Sequence, residues 1–340
     1  MLDALLPGLM AGHSLDVDAA QAAMEHMISG DAPAALIAGF LVALRMKGET
    51  VAELTGCARA MRAAALPVEP RMRPLLDTCG TGGDGVGTVN ISTLASLVAT
   101  AAGVRVAKHG NRSVSSRCGS ADLLEALGIS LTLGPEEVAR CVDEVGIGFM
   151  FAPRYHPAMK HVAEVRRTLG VRTLFNLIGP LANPARVEYQ VMGVFDGDLV
   201  EKMAEALQGL GVRRALVVHG HGGLDEIALS GVTRAVLLDD GGRRVFTIDP
   251  QTLGMALAPL EALVGGDVAD NLRIASRVLD GGDGPVRDAV VINAAGALLA
   301  AGVVEDLSEG VEKSRAALGS GAARERLQAW VEMSRKLTTC

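Results

Sequence analysis

The sequence predicts an α/β protein in two parts, a small all-helical domain and a larger α/β domain with a mostly parallel central sheet flanked by helices. Three observations carry the prediction. Residues 1–66 show only helical periodicity, residues 66–74 form the proline-rich segment LPVEPRMRP, and from residue 75 short apolar runs alternate with helical stretches. Strands alternating with helices build parallel sheets, because a parallel crossover needs the helix. With 340 residues the chain exceeds the usual size of one small domain. That favours two units sharing an interface, 1–66 and 75–340, the first joined in space by helices from about 157–184.

In the opening unit LDVDAAQAAMEHMISG stops at Gly30 and APAALIAGFLVALRMKG at Gly48, glycine being a frequent helix terminator. ETVAELTGCARAMRAAAL follows. Leu36, Phe40 and Leu44 recur at i, i+4 and i+8 and so share one face. Pro67, Pro70 and Pro74 make a stiff, extended connection. Beyond it come the strand PLLDTC, a glycine loop, a helix from near Ser92, the strand VRVAKH, a second loop, the helix SADLLEALG and a strand around ISLTL. The helix PEEVARCVDEVG and the strand IGFMFA continue the alternation. Residues 157–184 interrupt it with a basic helix and a turn-rich stretch. YQVMGVF, DLVEKMAEALQGLG, RALVVHG and AVLLDD resume it, and helices are expected near 267–279 and 285–301 and from Leu307 onward.

Composition excludes several classes of function. The apolar fraction is 49%, mostly Ala, Leu and Val, and 41 glycines are scattered without period, which suits a packed α/β protein and argues against disorder. A net charge of −7 disfavours nucleic-acid binding, since phosphate contacts need a cationic surface. The five cysteines, Cys57, Cys79, Cys118, Cys141 and Cys340, include no C-x-x-C pair, and their odd number fits a reducing cytoplasm better than a disulfide framework. The N-terminus has no basic region ahead of its apolar residues and reads as mature protein. AVVINAAGALLAAGVV, at 289–304, is broken by Asn293 and is shorter than the roughly 20 residues a membrane span needs. A buried helix is expected there, and no membrane partner.

The chemistry concentrates in loops that follow strands, where ligands of such sheets bind. GTGGDG, at 80–85, satisfies the dinucleotide pattern G-x-G-x-x-G. That fingerprint also needs an acid about 20 residues on, at the end of the second strand, for a ribose hydroxyl. Here the strand ends in Lys108, His109 and Arg112, and the next acid is Asp122. The Walker pattern fails as well, because no Lys-Ser or Lys-Thr follows the glycines. What remains is a backbone loop whose N–H groups can wrap an anion, leading to Asn90, Ser92 and Thr93 at a helix N-terminus. A glycine-rich turn without a ligand is the bland alternative. KHGNRSVSSRCGSAD, at 108–122, argues against it by putting cations, an amide and hydroxyls into a second strand-to-helix loop.

Adjacent acids Asp225 and Glu226 follow the glycine turn of GHGGLDEIALSG, and such a pair can hold magnesium together with phosphate oxygens. His219 and His221 lack a third nitrogen or sulfur ligand, so zinc is discounted. The stretch FAPRYHPAMKHVAEVRRTLGVR supplies Arg154, Lys160, Arg166, Arg167 and Arg172, and helical spacing divides them between two faces. At least one facing the cleft could pair bidentately with a substrate carboxylate. No Ser-His-Asp or Cys-His constellation appears.

Taken in order, GTGGDG with TVNIST, KHGNRSVSS with GSADLLEALG, HPAMKHV with VRRTLGVRTLFNLIGPLANP, and GLDEI closely resemble the anthranilate phosphoribosyltransferase family, from roughly Ser14 to the C-terminal helices and including LRMKGET. The resemblance implies a homodimer that joins anthranilate to the ribose of 5-phosphoribosyl 1-diphosphate (PRPP), with magnesium, two ions per subunit, in a cleft between the domains. It assigns Gly80, Gly83, Asp84 and Thr88 to the PRPP loop, with Asn90, Ile91, Ser92 and Thr93 at its helix end. Lys108, His109, Gly110, Asn111, Arg112, Ser113, Val114, Ser115, Ser116 and Ser120 complete the phosphate site. Ser92, Asp225 and Glu226 hold metal, while Gly80, Asn111, Arg166, His109, His156 and Gly179 meet anthranilate. No residue is implied as a general base.

Departures from the family pattern are Val89 in place of Phe, Cys118 in place of Ser and Glu164 in place of Pro. The first two read as packing changes, while Glu164 bears on the geometry of Arg166. A pyrimidine nucleoside phosphorylase, the enzyme alternative on this architecture, carries HSTGG-type and SGR-type loops that are absent here. A noncatalytic nucleic-acid-binding relative is the other alternative, disfavoured by the net charge and by the acids beside Asn111 and Arg166.

Overall fold

Helix signals in the opening unit are strong enough to be followed residue by residue in the computed structural model, which describes residues 1–113 and 117–338. Helix α1 spans Leu2–Met10, α2 Val17–Ser29, α3 Ala34–Lys47 and α4 Val51–Ala64. Asp16 caps α2 by accepting from the Ala19 N–H at 2.8 Å. Thr50 and Glu53 form a reciprocal capping box on α4, and Lys47 bonds the same buried Glu53 at 2.8 Å. The KGETVAE segment therefore fixes the α3–α4 corner. Phe40 and Leu44 are buried as their spacing predicts, with Leu36 packed at the edge of the same core.

The central sheet has seven strands in the order β3-β2-β1-β4-β5-β6-β7, namely β1 Leu76–Gly80, β2 Val106–Gly110, β3 Ile147–Phe151, β4 Tyr189–Gly193, β5 Arg214–His219, β6 Thr233–Asp239 and β7 Gly242–Ile248. The first five run parallel, while β6 and β7 add antiparallel. The order reverses between β1 and β4, which is where such sheets open a crevice. Between strands lie α5 Ile91–Ala101, α6 Ser120–Ala126, α7 Pro135–Val145, α8 Ala152–Tyr155, α9 Lys160–Leu169, α10 Leu174–Ile178 and α11 Leu199–Gly209. The chain then runs through α12 Val268–Leu279, α13 Pro285–Ala300, α14 Leu307–Gly319 and α15 Ala322–Thr338.

Successive strand residues feed two cores on opposite faces of the sheet. Val191, Leu216, Val218, Ala235 and Leu237 pack with α5 and α13. Met192, Ala215, Val217, Val236 and Leu238 pack with α11 and the helical unit. This is the period-2 alternation of a strand read from both sides. Helices α9 and α10 pack on α2, α3 and α4. The small-residue helix α13 is buried along nearly its whole length, and no helix among the described residues is long and apolar enough to cross a membrane.

Two expectations differ from the structure. ISLTL is no strand. Ile129, Leu131 and Leu133 are buried as the alternation requires, but the polar residues between them bond elsewhere, the Ser130 N–H to Ser334 Oγ on α15 at 2.7 Å and Ser130 Oγ to Thr132 Oγ1 at 2.9 Å. Strand β7 is absent from the sequence-based expectation, because GGRRVFTI is mostly exposed and carries two arginines, as suits a sheet edge.

Helices α2 and α4 approach most closely at Gly56, where an added Cβ would overlap the Val17 carbonyl and lie 2.9 Å from both Ala20 Cβ and the Gln21 nitrogen. Helix propensity alone favours alanine by about 1 kcal/mol, so overpacking has to outweigh it. Gly56→Ala should lower unfolding stability by about 1–3 kcal/mol in urea titrations. An unchanged midpoint would show that the helices part freely there.

Candidate active site

Four strand ends converge at the switch point. From β1 the chain enters the glycine loop, with positive φ at Gly82, Gly83, Gly85 and Gly87, a backbone that L side chains rarely adopt. Gly80 and Gly193, which end β1 and β4 in register, both lie against Asp225, and a Cβ on either would overlap it. The loop after β5 thereby drops its two acids onto the crevice floor. Asp225 Oδ2 accepts from the Gly82 N–H at 2.7 Å, and Glu226 Oε1 accepts from the Ser92 N–H at 3.0 Å, in the first turn of α5 where the helix dipole favours an anion.

The two carboxylates are held against their own charge. Burial, then the neighbouring Asp84, pushes Asp225 up to about 7. Burial, then Asp225, pushes Glu226 up to about 8, with Lys108 opposing. Asp84 itself accepts from the Val86 N–H at 3.1 Å, closing a local turn within the loop. Three acids thus crowd one floor, and each anchoring N–H occupies a single oxygen of a group that accepts at both. Among the described residues no three such groups are drawn close enough together to form a ready-made metal cage, and Ser92 Oγ stands beside the acid pair, 3.4 Å from the Lys108 ammonium. Lys108 is 2% exposed and bonds the Thr78 carbonyl and hydroxyl.

The second loop is organised by Asp122, which accepts from the Gly119 N–H at 2.9 Å, the Ser113 N–H at 3.2 Å and Arg112 at 2.7 Å. Burial opposes its ionisation, but Arg112 and those N–H groups outweigh it and hold the carboxyl below its ordinary range. Arg112 also pairs with Glu125 at 2.9 Å, so its guanidinium faces α6. Asn111 takes the Arg112 N–H on its side-chain oxygen, and Ser120 bonds the Asn111 carbonyl. Asn90 reaches across to the Cys118 carbonyl at 3.1 Å, joining the two loops. Thr88 bridges to Val264 behind the first loop. Ile91 and Thr93 are buried, and Gly110 sits over Ser120 and Phe149. Val114, Ser115 and Ser116 lie outside the described residues.

Beside the loops, His109 and His156 pack with ring centroids 5.0 Å apart. Burial and then the partner imidazole drive His109 well below its ordinary pKa, and burial takes His156 to about 4, so both rings are neutral. The backbones of Gly179 and Ala182 partly offset the fall at His109 and His156 respectively, and among the described residues neither Nε2 has a partner. Of the five cations in the basic stretch, Arg154 bonds the Leu133 carbonyl and Lys160 and Arg167 are exposed. Arg166 stacks on Phe175 at 5.0 Å, and no carboxylate among the described residues pairs with it. Glu164 is 83% exposed and lies 4.0 Å from Arg167, so it leaves Arg166 undisturbed.

Sequence reasoning missed the role of Arg172. It bonds the Gly83 carbonyl and stacks on Phe195 at 4.1 Å, tying the glycine loop to the wall. Its only signal was membership of the basic stretch. His219 and His221 are engaged elsewhere, with the Val194 carbonyl and Ser230 Oγ. Val89 and Cys118 are buried packing residues.

Comparison with known proteins places the chain in a family. Residues 72–324 match the family model described as glycosyl transferase family, a/b domain, and residues 4–65 the helical bundle domain of the same family. The chain is 52% identical to anthranilate phosphoribosyltransferase of Moorella thermoacetica, covering 98% of this chain and 99% of that protein. The crystal structure of the Thermus thermophilus enzyme of that name superposes with a TM-score of 0.92 at 48% identity, over 97% of this chain and 99% of that one. The Saccharomyces cerevisiae enzyme, solved in complex with PRPP and Mg, gives 0.90 at 26% identity over 98% of each chain.

The raised acids set the sign of a pH effect. Between about pH 4 and pH 8 the folded protein retains protons on Asp225 and Glu226 that the unfolded chain, at ordinary values of 3.8 and 4.5, releases. Stability then falls as pH rises through that window. The melting temperature of the metal-free protein should drop from pH 6 to pH 8.5, and saturating magnesium should remove the drop. A flat profile without metal would contradict the crowding of these acids.

Proposed function

The chain belongs to the anthranilate phosphoribosyltransferase family, and from that premise we propose how its cleft divides the work between two substrates. The reaction transfers the phosphoribosyl group from PRPP to the amine of anthranilate, giving N-(5-phosphoribosyl)anthranilate and pyrophosphate. The observation that carries the assignment is the acid pair beneath the glycine loop, anchored through Gly82 and Ser92 and pressed toward neutrality by burial first and by its own crowding second. An acid pair so arranged gains by binding a cation that arrives with a diphosphate.

PRPP would lie along the loops that begin at Gly80 and Gly110, with Gly83, Asp84, Thr88, Asn90, Ser92, Lys108, Asn111 and Ser120 around it. Asp225, Glu226 and Ser92 would hold magnesium, two ions in our reading, which supplies neutralisation of the diphosphate charge when bound. The Gly82 and Ser92 N–H groups hold the acid pair in place before any ligand arrives, so a cation on that pair would meet leaving-group charge without reorganisation of the floor. The C1–O bond to pyrophosphate breaks, the C1–N bond forms, and the amine loses one proton. Anthranilate's amine is already neutral, so positioning dominates.

On the acceptor side, Arg166 would pair with the anthranilate carboxylate, its guanidinium already oriented by Phe175. His109 and His156 would line that wall with neutral rings whose Nε2 atoms are buried and have no partner among the described residues. Exposed Met10, Val42 and Met46 on α1 and α3 support a homodimer formed through the helical unit. The described cysteines are free thiols, which suits the cytoplasm.

Loss of anthranilate fluorescence in the presence of PRPP and magnesium tests the assignment directly. Asp225→Asn combined with Glu226→Gln should lower kcat by about 10³-fold while the metal-free variant melts no lower than the native protein, since the clashing charges are gone. Near-normal turnover would remove the metal assignment. Arg166→Ala should raise the KM for anthranilate by about 10- to 100-fold, the worth of a charged hydrogen bond, and leave that for PRPP little changed. Equal effects on both would place that arginine's role elsewhere.

A further inference from the structure

The β1–β2 pairing fails one rung before the two phosphate loops begin. These strands are in register only at Leu76–Val106, where the Leu76 N–H donates to the Arg105 carbonyl at 2.8 Å, whereas β1 keeps five registered pairs with β4 on its other side. The next rung of a parallel ladder would run from the Thr78 N–H to the Ala107 carbonyl and from the His109 N–H to the Thr78 carbonyl. Three of these four groups bond side chains instead. The His109 N–H donates to Asp77 Oδ1 at 3.2 Å. The Ala107 carbonyl accepts from Asn183 Nδ2 at 2.9 Å, and the Thr78 carbonyl from Lys108 Nζ. Asn183 completes the set by donating to Asp77 Oδ2 at 2.8 Å, while its Oδ1 accepts from the Ala185 N–H at 2.8 Å.

We propose that Asp77 and Asn183 are positioning residues for the transfer, a carboxylate–amide spacer that replaces one rung of the sheet and sets the separation of the two PRPP loops. The proposal rests on the reading of the cleft given above. Both residues are 0% exposed, so their role is not ligand contact. Buried peptide groups must be paired, and a rung lost without substitutes would not persist. Side chains make the replacement longer than a direct bond, so the strands can stand wider than the ladder spacing of about 4.8 Å. Lys108 occupies the fork so formed, bonded to Thr78 and 3.4 Å from Ser92 Oγ.

A second consequence follows from where Asn183 sits. It ends the segment whose Gly179 and Ala182 backbone bears on the charge of His109 and His156. An ordinary rung would tie β1 to β2 alone. The spacer ties both strands to the wall that would meet anthranilate, so the two substrate sides share one reference point.

The test compares native enzyme with Asp77→Asn, Asn183→Asp, Asn183→Ala and the exchange Asp77→Asn/Asn183→Asp, measuring kcat, both KM values and melting temperature. Well below melting, Asp77→Asn and Asn183→Asp should each lose about 10- to 100-fold in kcat/KM for both substrates, the effect of sub-ångström misplacement. The exchange restores the bond between the two side chains but leaves the Ala107 carbonyl without its donor, so it should recover part of the product of the single losses and stay below native. If either single variant fails to fold, Asn183→Ala decides by the same criterion. Variants that melt earlier yet keep kcat and both KM values within about twofold of native would overturn the spacer and leave a structural bond only. Native enzyme without turnover would instead overturn the functional reading.

Discussion

Like charge crowded onto the crevice floor is the constraint from which the rest of the site follows. Asp84, Asp225 and Glu226 repel one another in a partly dry cleft, where screening by water is weak. Each neighbouring feature answers that repulsion. The Gly82 N–H and the first turn of α5 supply fixed partial positive charge, and Lys108 supplies a full one from below. Gly80 and Gly193 lack side chains because Asp225 occupies the space a Cβ would need. Without a cation the floor is a local source of instability, as functional sites often are. With one, the same repulsion becomes affinity.

The sheet makes this concentration possible by its order. A crevice opens where β1 and β4, neighbours in space, send their loops in opposite directions. Five parallel strands bring every loop of interest to one edge, while alternate residues hold the sheet between two cores. The helical unit belongs to one of those cores, so it does not swing as a free appendage. Arg62 on α4 donates to the Leu181 carbonyl at 2.6 Å and the Leu210 carbonyl at 3.1 Å, joining that unit both to the acceptor wall and to the end of α11.

Legibility in the sequence tracked how local each signal was. The two cradles could be read because glycines, hydroxyls and cations were consecutive in GTGGDG and KHGNRS, and Asp225 with Glu226 because adjacent acids followed a glycine turn. The alternation gave the parallel sheet, yet it misread ISLTL, since a buried turn with Ile129, Leu131 and Leu133 inside has the same period as a strand. Spacing alone could not separate Arg166 from Arg154, whose partner, the Leu133 carbonyl, is 21 residues away. Asp77 and Asn183 stood in quoted motifs, but their partners are backbone groups of other strands, 32 and 76 residues distant, and no side-chain pattern announces a missing rung.

Asp84 illustrates how structure narrows a role that sequence leaves open. A carboxylate inside a phosphate loop looks misplaced if it must face phosphate. One of its oxygens is used on the Val86 N–H, and its charge bears on Asp225. It therefore adds to the pull on a cation rather than to the cradle of an anion. Arg112 presents the converse case. It stands in a loop suited to phosphate, yet Asp122 and Glu125 already claim its guanidinium. A phosphate arriving there would compete with two carboxylates for one fork of donors, and only a more highly charged ligand wins such a contest. The loop is thus held in shape by its own acids, which keep that guanidinium turned toward α6 rather than toward the crevice.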